Sequence, residues 1–217
     1  VLELDADLIV ITGDIIDYAK CLPWVEPILG RLAAPLGCTF LLGNHDQRIA
    51  ELSELTDRLR RVGHHDLGVA DQYLETANGG HVFLTGNELP WFERHAAGNG
   101  SSNRKPHAFK PGAQRRSSTD CDKANSPLEP APESALRQNA LRLGHSPDNI
   151  GWAQQLQLDL LLAGHTHGGQ VRIPGVGPLV APSYYGSRFA SGVFYRAPVL
   201  MHVSRGIAGT HPLRWRC

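Results

Sequence analysis

The sequence has no excess charge of either sign. Its 217 residues carry 21 Lys and Arg against 21 Asp and Glu, a formal net charge of zero. Without a basic excess there is no electrostatic footprint for a nucleic-acid partner. Cysteine is scarce: Cys21, Cys38, Cys121 and Cys217 stand far apart, and no Cys-x-x-Cys occurs. That spacing suits free thiols in a reducing compartment better than a disulfide framework or a zinc knuckle. No apolar run approaches the roughly 20 residues of a membrane-spanning helix, no signal peptide is visible, and there is no internal repeat. The chain opens at Val1, without methionine, only a few residues before a strand, and stops at Cys217 with no closing punctuation. It therefore reads as an excerpt of a longer protein. The expected location is cytoplasmic or membrane-associated, with targeting left to residues upstream.

What is present is a hydrophobic content of 41% and 11 histidines. A chain of this length builds one domain, or one domain with an insertion. Short β-branched runs closed by glycine predict buried strands at Leu8–Thr12, Thr39–Leu42, His81–Asn87, Leu141–Leu143 and Leu158–Ala163. A short helix is predicted over Pro23–Leu32. Leucines 52, 55 and 59 predict another over Ala50–Val62, stopped by Gly63, and Asp148–Gln155 predicts a third, capped by Ser146 or Asp148 with Pro147 nearby. From about residue 94 to 134 the text becomes Gly, Ser, Asn, Pro, Lys and Arg without period. Such a stretch cannot bury enough surface to offset its ordering entropy, so a mostly disordered insertion into a single domain over 1–217 is expected. The C-terminal part, rich in Gly, Pro, Tyr and Val, predicts short strands and hairpins.

One pattern recurs: a strand, a glycine, then a polar cluster. It occurs as "ITGDIID", "LLGNHD", "RLGHSPD" and "LAGHTH". Ligand sites in α/β sheets lie at the carboxyl ends of strands, so four such ends suggest one convergent site. The pooled side chains are Asp14, Asn44, His45, Asp46, His145, His165 and His167. Imidazole and carboxylate are good ligands for Zn, Mn, Fe or Co, and the amide of Asn44 suits a mixed oxygen and nitrogen set. Two metals about 3.5–4 Å apart suit hydrolysis of phosphate esters. Two residues apart on an extended chain, His165 and His167 would point the same way. Gly168 and Gly169 would leave room for a substrate.

These motifs resemble those of the calcineurin-like metallophosphoesterase superfamily: "GDIID" at Gly13–Asp17, "GNHD" at Gly43–Asp46, the lone His145, and "GHTH" at Gly164–His167. The continuation "GHTHGGQ", with "VSRGIAG" downstream, looks like a bacterial branch that includes enzymes similar to UDP-2,3-diacylglucosamine pyrophosphohydrolases and membrane-associated members. The resemblance implies a two-sheet α/β sandwich with helices outside, and two divalent transition metals. It implies hydrolysis of a phosphomonoester, phosphodiester or pyrophosphate by a metal-bound hydroxide. Asp14 would bridge the metals; Asn44, His145 and His165 would complete the second; His167 would ligate the first. His45 would stand beside the scissile phosphate as general acid or charge stabiliser, with Asp46 orienting it. The implied partners are a phosphate-ester small molecule or a lipid-linked substrate, with peripheral membrane association and no nucleic acid. The family's D-x-H motif, on the first strand, does not occur before Gly13. The alternative is a non-catalytic metal-binding relic or interaction module lacking those first-metal ligands.

Other tempting residues have plainer readings. Asp17 reads as a capping or supporting residue rather than a ligand. "GHHD", Gly63–Asp66, follows a helix end and reads as surface histidines. His81, His95, His107, His202 and His211 take the same default. Tyr184 and Tyr185 read as hairpin packing, and Arg104, Lys105, Arg115 and Arg116 as solvated charge.

Overall fold

The computed structural model describes residues 3–92, 140–169, 171–173, 175 and 177–207. The insertion expected at 94–134, the four basic residues within it, and His95, His107 and His211 lie outside the described residues. The chain divides into two compact units, Val1–Phe109 and Lys110–Cys217.

In the first unit, β1 (Ile9–Ile11), β2 (Cys38–Phe40) and β3 (His65–Asp66) form a parallel sheet in that order. Parallel neighbours need crossover connections. These are α1 (Leu22–Leu29) between β1 and β2, and α2 (Leu52–Arg61) between β2 and β3. The leucine spacing of α2 does what it predicts: Leu55 and Leu59 are buried and join Leu22, Val25, Phe40, Leu42, Ile49 and Phe92 in one core. Its last turn carries Arg58, Arg60 and Arg61, favourable at the negative end of the helix dipole. Strands β4 (Gln72–Glu75) and β5 (His81–Asn87) form an antiparallel hairpin. Gly86 lets β5 come close to its surroundings, since a Cβ there would lie 2.4 Å from Leu41 Cδ2 and 2.7 Å from the Leu67 carbonyl oxygen.

In the second unit, β6 (Ala140–Gly144), β7 (Leu160–Ala163) and β11 (Val199–Val203) run parallel, β7 lying between the other two. Strand β10 (Gly192–Arg196) pairs antiparallel with β11. A separate hairpin joins β8 (Val171–Ile173) to β9 (Gly177–Val180). Ser146 caps a 3-10 turn, Pro147–Asn149, by accepting the Asp148 amide at 3.1 Å. The turn runs on into α3 (Ile150–Gln155). Ile150, Trp152 and Ala153 pack on Leu161, Ala163, Val199, Met201 and Val203. Both units are mixed α/β, and the parallel sheet of one and the mixed sheet of the other match the expected fold class. Among the described residues no helix is long and apolar enough to cross a membrane.

Candidate metal centre

Strands β1 and β2 are parallel neighbours, so their polar clusters emerge at the same edge of the sheet. After β1 the backbone turns at Gly13 (φ 97°) and Asp14 (φ 56°). A non-glycine residue in the left-handed region costs roughly 1–3 kcal/mol and is concentrated at functional sites. After β2 the chain continues through buried Leu41 and Leu42 into Gly43, Asn44, His45 and Asp46. The two loops are tied together directly. The His45 amide donates to Asp14 Oδ1 at 2.9 Å.

Asp46 is fully buried. Its Oδ1 accepts the amides of Ile15 (2.9 Å) and Ile16 (3.1 Å). Its Oδ2 accepts those of Asp14 (3.0 Å) and Gly43 (2.8 Å). This carboxylate therefore sets the path of both strand-end loops. The carboxylate at the His45 ring is that of Asp17, whose Oδ1 meets His45 Nδ1. Arg48 closes the group: Nη1 lies 2.9 Å from Asp17 Oδ1 and 3.2 Å from His45 Nδ1, and Nη2 lies 3.4 Å from His45 Nε2. Sequence reasoning singled out neither the Asp17–His45 contact nor Arg48. The available signal was the carboxylate three residues after Asp14 and a cation three residues after His45.

In the second unit, β6 and β7 deliver the histidines. His145 is fully buried at the end of β6, and its carbonyl accepts the Gly164 amide at 2.9 Å, which ties the loop after β7 to it. His145 Nε2 and His165 Nδ1 face each other at 3.2 Å, with their rings at 63°. Both His165 (φ 67°) and His167 (φ 51°) occupy the left-handed region. Strand β7 ends at Ala163, so the two-residue strand period does not govern these histidines, contrary to the alternation expected. Thr166 between them is buried and anchors the loop by donating to the Ala190 carbonyl at 2.8 Å.

Two further expectations are corrected. The space over Gly168 and Gly169 is filled by the chain itself. A Cβ on Gly168 would lie 3.1 Å from Arg205 Cγ, and one on Gly169 would lie 2.3 Å from Pro178 Cβ. The glycines admit these neighbours rather than a substrate. In "GHHD", His64 is buried, not a surface residue. Its Nε2 donates to the Leu29 carbonyl at 3.0 Å, and His65 Nε2 donates to that of Ala70 at 3.0 Å. Burial pushes the His64 pKa down, against a smaller opposing effect of the Leu29 contact. Burial also pushes the Cys38 thiol up to about 11, so it is an inert core group at neutral pH. His81 stacks on Tyr73, centroids 5.4 Å apart, and Tyr185 packs on Phe189 at 5.0 Å, both structural roles.

The donor set fits divalent transition metals. Two nitrogens each bound at about 2.0–2.1 Å to one ion stand about 2.9 Å apart at a right angle and about 3.4 Å apart at the tetrahedral angle. The 3.2 Å separation of His145 Nε2 and His165 Nδ1 falls between these values. Imidazole nitrogens at this spacing suit a divalent metal such as Zn or Fe.

Comparison with known proteins agrees with this chemistry. The family model for calcineurin-like phosphoesterases matches residues 1–169. A Bacillus subtilis (strain 168) protein named uncharacterized metallophosphoesterase YkuE is 30% identical over 98% of this chain and 65% of its own length. The phosphodiesterase YaeI of Escherichia coli (strain K12) is 35% identical over 41% of this chain and 33% of its own length. The chain thus spans less than two thirds of the curated relatives it matches. No solved structure matches it.

Proposed function

The chain belongs to the calcineurin-like phosphoesterase family, and on that premise we propose that it hydrolyses phosphoric ester or pyrophosphate bonds with two divalent transition metals, Mn, Fe, Zn or Co. The observation that carries this reading is the reach of the family match. Asp14, Asn44, His145, His165 and His167 all fall within residues 1–169. In this reading Asp14 would be shared by both metals, Asn44, His145 and His165 would hold one with it, and His167 would hold the other. The metals, when bound, supply Lewis acidity and an activated water.

The chain's own groups do the rest. Asp46 fixes the Asp14 and Asn44 loops through four backbone amides. Asp17 on His45 Nδ1 holds the imidazole in one orientation and leaves Nε2 to face the substrate. His45 then donates a proton to the leaving group or stabilises charge on the phosphoryl oxygens, contributing about 10²–10⁴-fold. A phosphodiester is the first substrate class to test, because one relative bears the name phosphodiesterase. Neither relative's name bears on the diacylglucosamine chemistry of the branch that the motifs resemble. We also propose a lipid-linked phosphate ester as substrate and peripheral membrane association, which co-sedimentation with vesicles tests.

The test uses the full-length protein with Mn²⁺ and a chromogenic phosphodiester. His45→Ala is expected to lose kcat on the 10²–10⁴ scale while keeping its metals by elemental analysis. Metal loss in that variant would make His45 a ligand. No turnover of monoester, diester or pyrophosphate by the wild type would leave the non-catalytic alternative standing.

A further inference from the structure

We infer that Arg48 is a substrate-binding residue that takes an anionic phosphoryl oxygen and favours phosphoryl groups carrying two negative charges. The inference rests on the proposed function, but its geometry stands by itself. Arg48 ends the 3-10 turn Asp46–Arg48, and its amide donates to the His45 carbonyl at 3.0 Å. Residues 45 to 48 thus form one rigid turn, anchored at the buried Asp46. The guanidinium lies along the His45 ring, with Nη1 3.2 Å from Nδ1 and Nη2 3.4 Å from Nε2.

The bonding pattern says what this contact is. Asp17 stands at Nδ1, which leaves Nε2 as the ring nitrogen that faces Arg48 Nη2. At 3.4 Å, Nη2 is at the far limit of a hydrogen bond to Nε2. A phosphoryl oxygen is a stronger acceptor, because both partners then carry charge. Anion binding would draw Nη2–H off Nε2 and free Nε2 for the substrate.

A purely structural role explains less. An exposed ion pair with Asp17 is worth little and needs only one guanidinium nitrogen, at 2.9 Å. The Arg48 side chain is 53% exposed. Among the described residues its guanidinium meets only Asp17 and His45. Most of its five N–H donors therefore remain for a ligand.

The experiment pairs binding with kinetics on the metal-loaded, full-length protein. Inorganic phosphate affinity is measured by calorimetry for the wild type, Arg48→Gln and Arg48→Lys. Chromogenic phosphomonoester (dianion) and phosphodiester (monoanion) are assayed in parallel, with melting curves as a check on folding. Arg48→Gln should weaken phosphate binding about tenfold, the low end for a hydrogen bond to a charged group. It should also raise KM for the monoester more than for the diester, and Arg48→Lys should recover part of the affinity. Unchanged phosphate affinity in Arg48→Gln would overturn the inference. So would an equal fall of kcat on both esters at constant KM, which is the mark of a residue that only holds His45. Phosphate binding that depends on Arg48 in a wild type that turns over neither ester would sink the proposed function and keep the anion site. A wild type that binds no phosphate would sink the anion site.

Discussion

Asp46 shows how one buried carboxylate can organise a site without touching a substrate. Four amides from two loops converge on it, and hydrogen bonds to a charged group are worth about 1.5–3 kcal/mol each in mutational terms. Replacing it with Asn turns one acceptor oxygen into a donor that faces amide N–H groups. Asp46→Asn is therefore expected to cost about 3 kcal/mol and to disturb metal binding and turnover together. Urea unfolding with metal analysis checks this. Full stability with a loss confined to kcat would instead give Asp46 a direct role at His45. The sequence made Asp46 legible as a site residue, through "GNHD", but not its hydrogen bonds. Asp17 lies 28 residues before His45, and no local spacing reveals a contact across that distance. Arg48 stayed hidden for another reason: a single cation on a short turn reads as solvated charge until its side chain is seen lying on an imidazole.

Elements with an apolar run closed by glycine or a clear period were legible, and β3 and β4, which have neither, were not. Strands β1, β2, β5, β6 and β7 and helices α1, α2 and α3 overlap the stretches predicted for them. Strand β3 has two residues, too few to alternate, and β4, Gln-Tyr-Leu-Glu, sets its two apolar residues side by side instead of alternating them. Strand β3 exists because α2 returns the chain beside β2, where Thr39 pairs with His65 and Phe40 with Asp66. The α2–β3 junction carries a pH dependence. His64 is buried there and hydrogen-bonded to the Leu29 carbonyl at the end of α1. Its folded pKa is lowered by burial, so the folded state binds fewer protons than the unfolded chain. The stability it contributes is whole above the unfolded histidine pKa of about 6.5 and is lost as pH falls through that value toward the folded one. His64→Gln keeps an N–H donor for Leu29 but cannot charge. Between pH 7.5 and 5.5 the wild type should therefore lose more unfolding free energy than the variant. Parallel losses, measured by urea titration at both pH values, would show that His64 does not carry the effect.

At the scale of the molecule, what could be read in advance was the order of motifs: glycine-preceded polar clusters after successive strands, drawn from both halves of the sequence. Such an order constrains chemistry more tightly than any one cluster, because each alone is a common turn. It carries no information on what fills the space around the ligands, which is why Arg205 and Pro178 over the glycines came only with the structure. The proposed ligand set makes a thermodynamic demand on the whole chain. A metal that binds the folded state and not the unfolded one adds about 2.7 kcal/mol of stability at 100 times its Kd. Saturating Mn²⁺ should thus raise the melting temperature of the full-length protein, and chelation should remove the increment. Asp14→Asn and His165→Ala alter residues far apart in sequence, yet the family resemblance puts both on the same ion. Each should abolish most of the increment, whereas His81→Ala, which alters a ring stacked on Tyr73, should keep it. An Asp14→Asn variant that retains the full increment while His165→Ala loses it would mean that the histidines bind metal without Asp14. The bridging role assigned to Asp14 would then fall, along with the two-metal reading built on it.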